Sequence, residues 1–339
     1  MGAAVMPDGD LFARLTSPYR PELLAYCYRM LGSVHDAEDL VQETYLRAWR
    51  SYRAFEERAS LRTWLYRIAT NLCLTALERG KRRPLPSGLG GPADPEDPLA
   101  PPPEVSWLEP FPDRLVHAGS GDPAAIVAAR QSLRLALVAA LQYLPPRQRA
   151  VLILRDVLAL RAAEVAALLG ISVPAVKSVL QRARAQLGQV TPAEDDTTET
   201  SGAYQRELLD RYVAAFENAD VAALMGLLTE DAVLEMPPAP TWFAGRESVG
   251  RFFGSRVLTE PGAFHLVATA ANGQPAAAMY ERGPDGVHHA HAVTVLSASG
   301  AGIARIVAFR DEDLFALFAL PRTLRWRSHS TGAGPARTR

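Results

Sequence analysis

Residues 161–187 read RAAEVAALLGISVPAVKSVLQRARAQL, two helix-forming runs that meet at Gly170. A glycine accepts the left-handed conformation that ends a helix, Ser172 can cap the next helix with its hydroxyl, and Pro174 falls in a first turn, where a missing N–H costs nothing. In the second run Val176, Leu180, Ala183 and Leu187 share one face, leaving Ala175, Lys177, Ser178, Gln181, Arg182 and Arg184 for solvent or a ligand. A helix that enters the major groove of DNA needs short side chains where backbones approach and long cationic ones beside phosphates. Pro174, Ala175, Lys177, Ser178, Arg182 and Arg184 meet that demand, with Lys177 and Ser178 near base edges and Arg182 and Arg184 on phosphates. The alternative is an ordinary helical hairpin with a solvated charged face.

Charge favours the first reading. The 339 residues carry 36 Lys and Arg against 37 Asp and Glu, a formal net charge of -1. By segment the charge is +3 over 1–85, -6 over 86–129, +7 over 130–190 and -5 over 191–339. Near-neutrality is therefore a sum of opposed blocks, two of which can face a polyanion while the acidic linker shields or bridges them. The length implies two or three domains, and no apolar run reaches the 18 residues that suggest a membrane span. Cys27 and Cys73 stand far apart, with neither disulfide nor metal spacing around them. Asp8 and Asp10 occupy a start that lacks an apolar signal core. These features predict a cytoplasmic chain with no cofactor, no metal and no membrane partner.

Five boundaries organise the rest. Residues 11–84 read as a helical domain, 85–123 as an acidic Pro-rich linker, 124–190 as a second helical domain, 191–203 as a polar linker, 204–322 as an α+β domain and 323–339 as a disordered tail. The α+β domain opens with a long helix from about Tyr204 to Met225, and strand-like alternation follows over 232–236, 264–270, 276–280, 289–296 and 303–309. Inside the first linker, WLEPFP (107–112) is too apolar for a plain spacer and is a docking candidate.

In the first domain DAEDLVQET (36–44) turns Asp39, Gln42 and Glu43 outward, although an acidic first turn also suits the helix dipole without any partner. The stretch 52–68 interleaves Tyr52, Phe55, Trp64 and Tyr66 with Arg53, Arg58, Arg62 and Arg67, the mixture of stacking faces and cations that unpaired nucleotides require. Trp64, Ile68 and Leu72 would equally make a core stripe. Ser60 can cap the helix that starts at Leu61.

Together and in this order, the two helical blocks resemble regions 2 and 4 of the bacterial sigma-70 family, specifically its small extracytoplasmic-function (ECF) group. The resemblance implies that Asp36, Asp39, Gln42 and Glu43 bind the largest clamp subunit of core RNA polymerase, and that Phe55, Arg58, Ser60, Arg62, Trp64 and Arg67 melt and read the promoter -10 element. It further implies that YLPPRQRAVLILR (143–155) leans on the polymerase flap while Pro174, Ala175, Lys177, Ser178, Arg182 and Arg184 hold -35 DNA. Melting would draw on stacking and phosphate contacts, with no catalytic residue and no cofactor.

Residues 204–320 resemble the SnoaL-like and ketosteroid-isomerase superfamily, a helix packed into a curved sheet around a cone, through YQRELLDRYVAAF (204–216), LLTEDA (227–232) and WFAGR (242–246). The expected fold is thus multidomain: two all-α domains followed by an α+β cone. That likeness implies a regulatory domain with a small-molecule pocket, for which Trp242, Phe243, His265, His289 and His291 are the candidate lining. Catalysis would need a carboxylate or histidine poised beside an oxyanion donor, with Asp231, Glu235, His265, His289 and His291 the candidates. Two other functions compete with a sigma factor: a free-standing helix-turn-helix regulator with a ligand-sensing domain, and an isomerase or cyclase with a DNA-binding arm.

Overall fold

The computed structural model describes residues 9–52, 60–80, 82–116, 128, 130–190 and 201–325. The first unit holds α1 (Gly9–Thr16), α2 (Arg20–Leu31), α3 (Val34–Ser51) and α4 (Leu61–Arg79). Caps set these boundaries. Gly32 ends α2 with a φ of 72°, the Asp36 amide donates to Ser33 Oγ to start α3, and the Thr63 amide donates to Ser60 Oγ to start α4. Cys27 and Cys73, distant in sequence, come together in the core between α2 and α4 as free, buried thiols. Hydrogen bonding to Cys27 and burial push the Cys73 thiol up.

The second unit holds α5 (Leu135–Leu141), α6 (Pro146–Leu152), α7 (Ala162–Leu169) and α8 (Val173–Val190). Gly170 takes a φ of 66°, and the Ala175 amide donates to Ser172 Oγ at 3.3 Å. Val176, Leu180 and Ala183 are buried, with Leu187 packed at the edge, as their spacing predicts.

In the third unit the expected long helix is two: α9 (Gly202–Glu217) and α10 (Val221–Met225). Ala219 breaks the run at a φ of 52°, and Asp220 caps the new start by accepting from the Ala223 amide. The strands are β1 (Leu228–Glu235), β2 (Trp242–Ala244), β3 (Phe264–Ala271), β4 (Gln274–Arg282), β5 (His288–Ser299), β6 (Gly302–Phe309) and β7 (Thr323–Leu324). α11 (Arg246–Phe252) follows β2, and α12 (Leu314–Leu317) follows β6. The sheet runs β2-β1-β6-β5-β4-β3, with β7 on β5; β1 and β6 pair in parallel and the other pairs are antiparallel. β2 is too short to show alternation in sequence. β7 lies inside the segment expected to be a disordered tail, so the third unit extends to Leu324.

Both faces of this sheet are buried. On β4, Ala277 and Met279 join the cluster around α9 that includes Tyr212 and Phe216. Ala276, Ala278 and Tyr280 point the other way, into the cluster that also holds the cores of both helical units. The outer face of the cone is thereby core for the rest of the chain. The WLEPFP segment is docked there: Leu108 and Phe111 are buried, and the Phe111 ring lies 4.8 Å from that of Tyr28.

The β3–β4 hairpin turns at Asn272 and Gly273, with φ of 57° and 67°, the pair that a tight hairpin turn favours. Its tip enters the junction of all three units. The fully buried Asn272 accepts the Phe111 amide on Oδ1 at 2.8 Å, and its Nδ2 donates to the Leu133 carbonyl at 2.7 Å and the Tyr28 hydroxyl at 2.9 Å. The Gly273 amide donates to Asp113 Oδ1 at 2.7 Å, and a Cβ at Gly273 would sit 2.8 Å from the Arg130 carbonyl oxygen. The Leu135 amide at the start of α5 donates to Gln274 Oε1 at 3.0 Å. Asn272→Leu keeps the volume but strips partners from the Phe111 amide and the Leu133 carbonyl. At about 1–3 kcal/mol for each orphaned buried group, chemical denaturation should show a loss of about 3 kcal/mol, and a loss below about 1 kcal/mol would contradict the junction's role.

Candidate nucleic-acid interface

On α8, Pro174, Lys177, Ser178 and Arg182 are exposed and Ala175 is half-buried, so this face is presented as expected. Arg182 Nη1 donates to Ser178 Oγ at 3.1 Å, one turn back. Arg184 differs. Its guanidinium pairs with Asp156, in the segment that follows α6, through two bonds of 2.7 and 2.9 Å.

On α4 the expected strand-melting residues are more engaged than free. Arg62 forks onto Glu22 at 3.0 Å and lies 5.0 Å from the Tyr66 ring centre. Ser60 is occupied with capping and lies 2.9 Å from Thr63 Oγ1. Trp64 is half-buried with its edge toward Tyr52 at 6.3 Å, and Arg67 is exposed. Phe55 and Arg58 lie outside the described residues. α4 packs against α6 and α7 of the second unit. The Glu164 carboxyl on α7 is held below its ordinary range by Arg161 first, with Arg62 of α4 adding to the effect. Arg82, just past α4, stacks on Tyr143 of the second unit at 4.2 Å.

On α3, Asp39 and Gln42 are exposed, Glu43 pairs with Arg47 at 2.6 Å, and Asp36 pairs with Arg83 at 2.6 Å. Leu46 is 51% exposed on the same side of the helix, one and two turns beyond Gln42 and Asp39. Sequence reading passed over Leu46, whose helical spacing from Gln42 and Asp39 was the available signal.

Two arginines cross between the helical units. Arg29 donates to the Ser132 carbonyl at 3.1 Å and to its hydroxyl at 2.6 Å. Arg149 reaches the Met30 carbonyl and Gln142 Oε1. Both are buried, and burial pushes each down to about 10. The linker carboxylates Asp94, Glu96, Asp97 and Glu104 are exposed and form no ion pair among the described residues. Two other linker carboxylates meet the helical units, Glu109 on His35 at 3.1 Å and Asp113 at 3.8 Å from Arg130.

The cone encloses a cavity of about 230 Å³ between α9 and the inner face of the sheet. Of the five expected lining residues, His291 alone reaches it. A bulge between β4 and β5 sets Tyr280 opposite Ala290 and Met279 opposite Ala292, so His291 is the extra residue, turned inward to Glu281 at 2.9 Å. Burial pushes its pKa down while Glu281 opposes this. His289 sits at the exposed start of the strand, paired with Asp285 at 3.1 Å. His265 pairs with Glu217 at 2.7 Å. Phe243 is core, stacked on Phe252 at 4.6 Å, and Trp242 sends its indole N–H to the Gly90 carbonyl of the linker. Glu235 is fully buried against Arg305 at 2.6 Å and accepts the Ser87 amide, so it too holds the linker and lies off the cavity. Among the described residues no group of three or more His, Cys, Asp or Glu side chains could hold a metal ion, and no single helix is long and apolar enough to cross a membrane.

Comparison with known families gives matches to Sigma-70 region 2 over residues 15–83, Sigma-70 region 4 over 134–187 and a SnoaL-like domain over 209–311. The ECF RNA polymerase sigma factor SigG of Mycobacterium tuberculosis is 53% identical over 319 residues, 93% of this chain and 85% of the relative. The chain belongs to the ECF RNA polymerase sigma factors. A second relative from that organism, the ECF sigma factor SigJ, is 30% identical over 69% of each chain. The crystal structure of SigJ superposes with a TM-score of 0.57 at 25% identity, covering 93% of this chain and all of SigJ.

As a sigma factor it is a non-enzymatic initiation factor that binds core polymerase and promoter DNA, and its regions 2 and 4 support promoter-specific transcription initiation. The geometry distinguishes the α8 arginines by partner, Arg182 meeting Ser178 on its own helix and Arg184 pairing with Asp156. In the holoenzyme, Arg182→Ala should reduce the salt-dependence slope of promoter binding by about 1, as removal of one phosphate contact does. Arg184→Ala should leave that slope within error, and equal slopes for the two variants would contradict the assignment.

Proposed function

We propose that the free chain is a held sigma factor, in which the SnoaL-like domain keeps regions 2 and 4 together until polymerase and promoter draw them apart. Asn272 carries this reading: one side chain of the third domain bonds to region 2 at Tyr28, to the linker at Phe111 and to the region 4 unit at Leu133. Elements named -10 and -35 lie about 25 base pairs apart, or about 85 Å of duplex at 3.4 Å per pair. An α4 packed on α6 and α7 cannot read one end while α8 reads the other.

The crossing arginines suit a contact built to open. Arg29 and Arg149 are buried charges that meet carbonyl and hydroxyl oxygens and no carboxylate, an arrangement that recovers less of the desolvation cost than an ion pair does. The exposed α3 face of Asp39, Gln42 and Leu46 supports docking to the largest clamp subunit before opening, and region 4 would then meet the flap and -35 DNA as the chain extends. Lys177, Ser178 and Arg182 would serve the duplex, and Arg67 with a released Arg62 and Trp64 the opened strand.

Promoter run-off transcription with limiting core polymerase tests this. Asn272→Ala should raise initiation at least threefold over the natural chain while circular dichroism shows it folded. Gln42→Ala with Leu46→Ala should lower core affinity about tenfold. Unchanged or reduced initiation by a folded Asn272→Ala chain would contradict the held state.

A further inference from the structure

The linker between regions 2 and 4 crosses the mouth of the cone. Leu99 lines the cavity. Around it, the Ala93 amide donates to the Trp242 carbonyl at 2.8 Å, the Ala100 amide to Thr241 Oγ1 at 3.0 Å, and Arg256 Nη2 to the Glu96 and Asp97 carbonyls at 2.9 and 2.8 Å. With the Trp242 indole on Gly90, residues 90–100 form a strap whose apolar side chain points into the space a ligand would fill.

The cavity itself is built for an amphipathic guest. Phe216, Phe252, Met279 and Ile306 supply apolar wall, and Arg256 and Arg310 bring two cations to the lining, where the carboxylate Glu281 is already paired with His291. On the wall, Thr294 Oγ1 is fully buried beside Tyr212. The Tyr212 hydroxyl is its neighbour, pushed up by burial and partly eased by Thr294.

We propose that this cavity binds a small amphipathic carboxylic acid and that the acid displaces the strap, releasing the tether between regions 2 and 4. The exchange is chemically direct. A carboxylate gives Arg256 an opposite charge and a bidentate partner, where the strap offers the same guanidinium only two neutral carbonyl oxygens. The guest's hydrocarbon takes the place of Leu99. A ligand that binds the strap-off form alone shifts the chain toward it by its own binding free energy. The strap runs on into Leu108 and Phe111, so its release loosens the segment that Asn272 holds. The proposal rests on the held-state reading above, and it adds what opens the lock and through which residues.

The test uses the full chain, 2-naphthoate as the acid and 2-naphthamide as its uncharged counterpart, with calorimetry for affinity and hydrogen exchange for the strap. The acid should bind at least tenfold more tightly than the amide, and at saturation the Ala93 and Ala100 amides should exchange at least tenfold faster. Leu99→Ala should tighten binding at least fivefold, Met279→Trp should abolish it by filling the cavity, and Arg256→Gln should erase the preference for acid over amide. The proposal is overturned by affinity that ignores both Leu99→Ala and Met279→Trp, by bound acid with unchanged exchange at Ala93 and Ala100, or by no binding to Leu99→Ala at millimolar acid. The Asn272→Ala transcription result involves no ligand. Activation there with failure here rejects the cavity proposal alone, and failure there removes the held state itself.

Discussion

A single buried amide sets the arrangement of this sigma factor. Asn272 spends its side-chain oxygen on the linker and its two N–H groups on region 2 and the region 4 unit. Such a group has little tolerance for misplacement, because in a site of low dielectric each lost bond leaves an unpaired dipole with no water to replace it. The apolar contacts around it give attraction without direction, whereas the amide fixes which surfaces meet. The turn makes this possible: Asn272 and Gly273 both hold positive φ, and at Gly273 the neighbouring Arg130 carbonyl leaves no room for a Cβ.

The sheet carries the consequence through the molecule. Alternate residues of β4 face opposite cores, so the cone that encloses a cavity is the same layer that closes the hydrophobic core of regions 2 and 4. Apolar burial on the outer face and the polar crossings of Arg29 and Arg149 differ in kind. The former favours association without specifying it, and the latter leave buried charge without an opposite partner. An assembly joined in this way is cohesive yet has a defined place to part.

Much of this was legible in the sequence. Capping residues and helical spacing located α3, α4, α7 and α8, and period-two alternation located five of the strands, since both signals are local. The exposed face of α8 followed from the same spacing. Partners were not legible. The pairing of Arg184 with Asp156 and of Arg62 with Glu22 joins residues far apart in the chain and leaves no mark in the sequence. Trp242 and Phe243 read as pocket aromatics because aromatic side chains suit both cavities and cores. The bulge at His291 leaves no mark in a single strand, as it depends on the register of β4 against β5. Asn272-Gly273 signals a hairpin, but what its tip would touch is a property of the folded whole.

The distance between the two DNA-binding regions tests the central claim most directly. Spin labels at Arg50→Cys on α3 and Ala185→Cys on α8 occupy exposed positions, while the native Cys27 and Cys73 are buried. Pulsed electron–electron resonance on the free chain should give one narrow, short distance distribution, replaced in the promoter-bound holoenzyme by one that is tens of ångströms longer. A broad, long distribution in the free chain, or the same distance in both states, would contradict a sigma factor held closed by its third domain.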